Sequence, residues 1–486
     1  MQYATVRLSE IEQISSRLDA EYYRPAFIES EHQLKRNKWD YLGNLAESIR
    51  SFGAYSLCNQ IEYRENGIPF LRAKDIKEGF IDFSDVLYID SEANELLWKS
   101  DVQPETVLFT MSGTVGNTAI APRESDYPIN SSQDVAKIRT SQRLNPYYLS
   151  VFLQSSYGKR QATRLPVGSV QQHVFLWQLE NLIVPLFEDA FQTNLERCFK
   201  QVLRLQREAG NYYQQAQTLL LSEFGLPNWQ PQHRLTFVRN YSDTRQAERI
   251  DAEYFQPKYN DIISAIRGYP GGWDRLGNLT SMRKCVEVGS GEYMEHGVPF
   301  VRVSNLSPFE ITEEKCISED LYAEVQQHQP KQGEILFSKD GTPGIAHYLR
   351  EQPSKMIPSG GILRLKGKTD KVNNEYLVLV LNSILTQEQV NRDVGGSVIL
   401  HWRPDQVGET AIPILPEEKQ TLIQQRVTES FSLRKQSKHL LECAKRAVEI
   451  AIEEDEQTAI DWLKSETDTL QIKASDSKSP YRYETE

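Results

Sequence analysis

A long internal repeat constrains this chain more than any other feature. Arg17-Leu-Asp-Ala-Glu-Tyr-Tyr-Arg-Pro25 returns as Arg249-Ile-Asp-Ala-Glu-Tyr-Phe-Gln-Pro257, and Trp39-Asp-Tyr-Leu-Gly-Asn-Leu45 as Trp273-Asp-Arg-Leu-Gly-Asn-Leu279. Gly67-Ile-Pro-Phe-Leu-Arg72 returns as Gly297-Val-Pro-Phe-Val-Arg302, and Val107-Leu-Phe-Thr-Met-Ser-Gly-Thr-Val-Gly116 as Ile335-Leu-Phe-Ser-Lys-Asp-Gly-Thr-Pro-Gly344. Gly168-Ser-Val170 and His173 then match Gly396-Ser-Val398 and His401, and the closing Leu182-Ile-Val-Pro-Leu186 is aligned with Ala411-Ile-Pro-Ile-Leu415. The offset runs 232, 234, 230 and then 228 residues, as small insertions and deletions require. A period this long excludes a solenoid and implies two whole domains, for which 486 residues suffice.

Within each copy, short β-type runs such as Ile68 to Ala73, Val86 to Ile89 and Thr106 to Thr110 alternate with turn signals. The expected fold class is α+β: two tandem mixed α/β domains with twisted or barrel-like sheets. Each is followed by a long helix, and the two helices pair antiparallel about a pseudo-two-fold axis. The first helix has a heptad seam through Phe191, Leu195, Cys198, Val202, Leu205, Ala209, Tyr212, Ala216 and Leu219, which asks for a partner helix. The second carries Ile423, Val427, Phe431, Leu441, Ala444, Val448 and Ala451, with polar Arg434 and Ser437 interrupting the seam. The pairing is assigned to Leu195, Val202, Leu205, Tyr212 and Leu219 against Val427, Leu441 and Val448, with the domains held at opposite ends. The boundaries read 1–186 for the first domain, 187–226 for its helix, 227–247 for a linker, 248–415 for the second domain and 416–455 for its helix. Residues 456–486 read as a flexible acidic tail.

Charge and composition narrow the function. The net charge is −12, but residues 453–486 hold ten acids against four bases, so half the excess lies in the tail. The body keeps room for local basic grooves without being an indiscriminate DNA binder. The cysteines Cys58, Cys198, Cys285, Cys316 and Cys443 form no close pair, which fits a reduced cytosol rather than disulfides or zinc. No apolar run of about eighteen residues is present. The N-terminal stretch lacks a signal pattern, and a cytoplasmic protein with no membrane partner is expected.

Catalytic motifs are nearly absent. Asn145-Pro-Tyr-Tyr148 approaches an adenine-methyltransferase motif but reads better as a helix cap with proline in the first turn. Pro404-Asp405 with Glu417-Glu-Lys419 spells a nuclease-like string, yet the first copy has Leu176, Trp177, Asp189 and Phe191 in those places. Glu417 and Glu418 therefore read as acids at a helix N-terminus. Neither a catalytic centre nor a metal site is assigned, and no cofactor is expected on this chain.

Two segments remain as candidate DNA contacts. In the Gly-Thr-x-Gly turns, glycine lets the backbone approach a phosphate while Ser112, Thr114 and Thr342 offer hydroxyls; the same glycines equally suit a tight turn. In the loops after Gly168 and Gly396, Ser169, Gln171, Gln172 and His173 have Ser397, His401 and Arg403 among their counterparts, residue types that reach base edges; Ser169 and Ser397 equally suit helix N-caps beside a structural histidine. The copies share Gly, Ser, Val and His and differ at Gln171/Ile399, Gln172/Leu400 and Phe175/Arg403, as two readers of different sequences would. Lys74, Arg160, Arg164, Arg302, Asn305 and Lys339 are further candidates for the backbone. Asp19 and Asp251, in the aromatic segments that open each copy, read as helix caps.

These residues resemble the target-recognition domains of type I restriction–modification specificity subunits: the Arg-(Leu/Ile)-Asp-Ala-Glu-Tyr opening, the Gly-Thr-x-Gly turn, the Gly-Ser-Val loop, the closing apolar-Pro strand and the helix after it. The resemblance spans roughly residues 15–455 and implies a non-catalytic subunit. It implies a double-stranded DNA partner with a bipartite asymmetric site, one half-site per domain, the helices setting the gap. It further implies two modification subunits that use S-adenosylmethionine to methylate adenine, and optional restriction subunits driven by ATP with Mg. Alternatives are a specificity-like subunit of another phage-defence or modification-only assembly, a two-domain protein-binding scaffold, and a self-contained nuclease or methyltransferase.

Overall fold

The computed structural model describes residues 6, 17, 19–52, 61–122, 128–166, 173–312, 314–395 and 400–476, with side chains through 467. The chain divides into two units, Met1–Arg207 with Leu433–Glu486, and Glu208–Ser432. Each unit takes in one domain and part of both long helices.

The first unit contains β1 (Trp39–Tyr41), β2 (Ala46–Arg50), β3 (Ile68–Leu71), β4 (Leu87–Ile89), β5 (Val107–Thr110), β6 (Thr118–Ile120), β7 (Asn130–Ser131), β8 (Val135–Thr140) and β9 (Ile183–Pro185). They form a four-stranded sheet in the order β2-β8-β5-β6, a three-stranded sheet β4-β3-β7 and the pair β1-β9. All four residues of β5 are buried, as its unbroken apolar run demands of a central strand. Helix Pro146–Gln154 covers this sheet and begins as the sequence indicates, with Asn145 accepting from the amides of Tyr147 and Tyr148 at 2.9 and 3.3 Å.

The second unit repeats the plan. Its strands are β10 (Trp273–Arg275), β11 (Thr280–Lys284), β12 (Val298–Val301), β13 (Cys316–Ile317), β14 (Ile335–Ser338), β15 (Asp340–Gly341), β16 (Ala346–Tyr348), β17 (Ile357–Pro358), β18 (Ile362–Gly367), β19 (Leu400–His401) and β20 (Ala411–Pro413). The orders β11-β18-β14-β16, β13-β12-β17 and β10-β20 match those of the first unit, and β15-β19 is added. The sheets stay open: with two to four strands each, none of the described ones closes, so the barrel-like form of the expectation does not occur. The closing strand also corrects the sequence alignment by one residue. Ile183 pairs with Tyr41 as Ala411 pairs with Arg275, so Ile183-Val-Pro185 is the counterpart of Ala411-Ile-Pro413.

The aromatic segment that opens each domain serves the fold. Arg17 donates to the carbonyls of Arg164 and Leu165 at 3.4 and 3.2 Å, where helix Ser156–Arg164 ends and the last carbonyls have no partner within the helix. Its guanidinium lies 4.7 Å from the Tyr22 ring centroid, and that of Arg164 lies 3.9 Å from it. Arg249 repeats the clamp on the carbonyls of Arg392 and Asp393 at 3.3 and 3.2 Å, with Tyr254 beneath it at 4.6 Å. Asp19 and Asp251 each accept from an amide three residues on, at 3.1 Å, as caps do. Their neighbours Arg17 and Arg249 hold both carboxyls below the usual range.

Each domain is fastened to a long helix by the same polar contact. In the first unit Gln192, on helix Asp189–Ser222, accepts from the Asn145 amide at 2.9 Å. In the second, Gln420 on helix Glu417–Glu453 accepts from the Asn373 amide at 3.0 Å. The long helices run antiparallel within each unit. In the first, Ser437 donates to the Val202 carbonyl at 3.0 Å and Cys198 lies 3.7 Å from the Leu440 carbonyl; in the second, Ser430 donates to the Ala209 carbonyl at 2.6 Å. Ser437 therefore belongs to the seam: a small residue admits the facing backbone, and its hydroxyl is satisfied there. Leu195, Val202, Leu205, Val427, Leu441 and Val448 are buried as expected. Tyr212, Leu219 and Phe431 are only half-buried, while Ala216 and Leu220 take the inner positions. A straight helix drifts about 20° per heptad, so a strict seven-residue pattern loses the buried face over such a length.

The segment expected to be a flexible tail forms helix Glu456–Asp476, capped by Asp455 accepting from the Thr458 amide at 2.9 Å. Ala459, Ile460 and Leu463 bury one side of it, which the acid count obscured. Among the described residues, no helix is long and apolar enough to cross a membrane.

Candidate nucleic-acid interface

The two segments singled out in each copy meet on the backbone. Ser112, at the head of the first turn, makes an antiparallel bridge to His173. Asp340 stands at the corresponding place in the second unit and pairs with His401. The next bond repeats as well: the Val174 amide donates to the Met111 carbonyl at 2.9 Å, and the Trp402 amide to the Lys339 carbonyl at 2.8 Å. Residues sixty-one positions apart are thereby held side by side at the end of the central strand.

The turns close on themselves. The Ser338 hydroxyl donates to the Thr342 carbonyl at 2.6 Å, and the Thr110 hydroxyl does the same to Thr114. The amides of Gly116 and Gly344 donate to the carbonyls of Thr110 and Ser338 at 3.1 and 2.9 Å. Gly113, Gly116, Gly341 and Gly344 all have positive φ, between 67° and 97°, so the turn itself requires glycine there. Gly113, Thr114, Gly341 and Thr342 are exposed, leaving hydroxyls and bare backbone outward, whereas Ser112 is buried.

The side chains around these bridges differ between units. In the first, the His173 ring meets Phe175 edge-on at 5.1 Å, and Phe175 and Trp177 are exposed. In the second, Asp340 links two bases, pairing with the Lys339 ammonium and lying 2.9 Å from His401 Nδ1. Arg403 is exposed and lies 3.1 Å from Asp405. Asp340 stands in the Gly-Thr-x-Gly turn of the second copy, but the sequence alone does not single it out. No spacing rule relates it to a histidine sixty-one positions away.

The remaining candidates fall into two groups. Lys74 is exposed and pairs with Asp85 at 2.6 Å, and Arg302 pairs with Glu314. Such surface pairs are worth about 0–1 kcal/mol, so a phosphate can replace the carboxylate. Arg160 lies 5.6 Å over the Tyr157 ring. Arg164 and Asn305 are engaged inside the fold. Arg164 is 11% exposed, 2.6 Å from Glu31, and donates to the Tyr22 carbonyl at 2.7 Å. Asn305 is 2% exposed and accepts from the Arg302 amide at 3.1 Å, as Asp75 does from Arg72 at 2.7 Å. Ser169, Gln171, Gln172 and Ser397 lie outside the described residues. Glu417 and Glu418 occupy the first turn of their helix, and Lys419 pairs with Glu223.

No protein-family model matches the chain, and no curated protein does. Solved structures do. The chain is similar to type I restriction–modification specificity subunits. The S subunit from M. genitalium aligns at 13% identity over 88% of this chain and 96% of that one, with a TM-score of 0.38. The HsdS subunit from Thermoanaerobacter tengcongensis aligns at 15% identity over 86% and 97%, with a TM-score of 0.28. A chain from a structural study of complex assembly and conformational transition in the type I R-M system aligns at 15% identity over 88% and 97%, with a TM-score of 0.28.

Proposed function

We propose that this chain is the DNA-specificity subunit of a type I restriction–modification assembly, reading a bipartite asymmetric duplex site with one half-site per domain. One observation carries the reading. The same two backbone positions are bridged in both units, and the side chains beside the bridge change from Ser, His and Phe to Asp, His and Arg. A shared frame with altered polar groups is what two half-sites of different sequence demand. Arg403 is suited to a guanine edge, where a bidentate pair discriminates by about 1–3 kcal/mol. Phe175 and Trp177 offer apolar contact, which suits a thymine methyl. Thr114, Thr342 and the exposed turn backbone serve the phosphates.

In this reading the chain is non-catalytic and cytoplasmic, and it binds no cofactor. Two modification subunits dock on it and methylate adenine with S-adenosylmethionine; restriction subunits add ATP- and Mg-dependent cleavage. The test is selection from random duplexes by the full chain co-purified with its modification subunit, followed by sequencing. The expected result is two short motifs at a fixed gap. A single contiguous motif, or no enrichment, overturns the reading.

A further inference from the structure

In the first unit, three side chains of mixed donor type lie close together. His439 and Cys443 are four apart on helix Glu417–Glu453, so they stack on one face. Glu466 comes from helix Glu456–Asp476; it lies about as far beyond the turn at Asp455 as Cys443 lies before it, so the antiparallel hairpin brings the two together. One ligand atom from each of the three lies within 4.8 Å of the others, and Cys443 Sγ is 3.7 Å from His439 Nε2. Tetrahedral zinc with bonds of about 2.0–2.3 Å places its ligand atoms roughly 3.3–3.8 Å apart. The His–Cys edge already has that length, and a rotamer change of the half-buried Glu466 closes the rest.

The donor set narrows the metal. A thiolate with an imidazole and one carboxylate suits zinc, whereas magnesium and calcium want oxygens alone. Cys443 is buried, and His439 is exposed, which gives an ion a way in. Burial, with Glu466 and Glu442 adding to it, pushes the thiol up to about 11, so the metal-free cluster sets a protonated thiol beside a carboxylate. A dication reverses that balance: the S–H proton leaves to solvent as the S–Zn bond forms. Nearby Glu442 is already engaged, 2.6 Å from Lys445.

We propose that His439, Cys443 and Glu466 bind one zinc ion, with water as the fourth ligand, and that this ion staples the C-terminal helix to the second long helix. The proposal is independent of DNA recognition. It is tested on the full chain, stripped with chelator and titrated with zinc against a chromophoric competitor. One equivalent per chain is expected. Cys443→Ser and Glu466→Gln should each weaken binding at least about 10-fold, since loss of an outer-shell partner alone costs about that much. Cys285→Ser and Cys316→Ser should leave it unchanged. Cobalt in place of zinc should give a thiolate charge-transfer absorption that vanishes in Cys443→Ser, and zinc should slow tryptic cleavage at Lys464. If Cys443→Ser does not fold, Glu466→Gln and the cobalt spectrum of the unaltered chain decide. Absence of that absorption, zinc binding that survives Cys443→Ser, or cleavage at Lys464 indifferent to zinc overturns the proposal.

Discussion

On the central sheet of the second unit, Arg364 stands opposite Leu336 and is fixed by Glu334 through two bonds of 2.9 and 3.0 Å. In the first unit the same place, opposite Leu108, holds Lys137, whose ammonium lies 3.0 and 2.9 Å from the hydroxyls of Ser100 and Ser131. Both side chains are buried, and Thr106 stands where the second unit has Glu334. The β5–β8 and β14–β18 ladders agree residue for residue, but one unit answers a buried charge with a charge and the other with hydroxyl dipoles. Burial raises the Glu334 carboxyl, yet Arg364 overrides it and holds the group below its usual range. Without such a partner, burial pushes Lys137 from 10.5 down to about 7. The repeat thus preserves backbone pairing and leaves side-chain electrostatics free to diverge, as it does at the bridged turns.

The largest expected effect is on the paired cation. Arg364→Met leaves Glu334 buried without its partner and should cost about 3–5 kcal/mol, seen as lost hydrogen-exchange protection in β14 and β18. Lys137→Met leaves no buried charge and should be neutral or stabilising by up to about 4 kcal/mol at pH 7. Equal losses in the two variants would break the comparison. The pH dependence follows from the same group. The folded value near 7 is below the unfolded 10.5, so this contribution is complete above 10.5 and is lost as pH falls through 7. Protection of β5 and β8 should therefore rise from pH 7 to 10.5 in the unaltered chain and stay flatter in Lys137→Met.

The turns give the next effects. Gly344→Ala forces a Cβ to 2.9 Å from Gln387 and 3.0 Å from Val390 at φ +97°, whereas Gly116→Ala meets only Ala162, at 3.1 Å and φ +93°. Each should cost about 1–3 kcal/mol, the former more, in urea unfolding. A further effect separates the units in acid. His347, whose counterpart is Ala119, is pushed down to about 4 by burial, while its bond to the Ser307 carbonyl at 3.0 Å acts the other way. Its folded value lies below 6.5, so its contribution is present above 6.5 and is lost as pH falls towards 4. The second unit should weaken over that window, and His347→Ala should abolish the difference. Smallest of all, Arg403→Ala should leave stability within about 0.5 kcal/mol, since its partner Asp405 is equally exposed, while weakening recognition of one half-site.

The repeat, the strand at Val107–Thr110, the Asn145 cap and the glycine turns are legible in the sequence because each rests on local pattern or backbone conformation. The pairing of Ser112 with His173 and of Asp340 with His401 is not, because non-local bridges leave no periodic trace. Ser437 reads as a flaw in the seam until its hydroxyl is seen on the Val202 carbonyl. The last helix is hidden by composition: ten acids in 453–486 suggest solvation, while three apolar residues, Ala459, Ile460 and Leu463, anchor it. The charge of Arg164 suggests a DNA contact, but charge alone says nothing of the Tyr22 ring and Glu31 carboxylate that hold it.

The central claim, the proposal of one domain for one half-site, is met most directly by exchanging residues 17–186 for the matching segment of a type I specificity subunit and sequencing the methylated sites of the host. The account predicts that one half of the bipartite motif changes, while the other half and the gap persist. A change in both halves, or in neither, contradicts it.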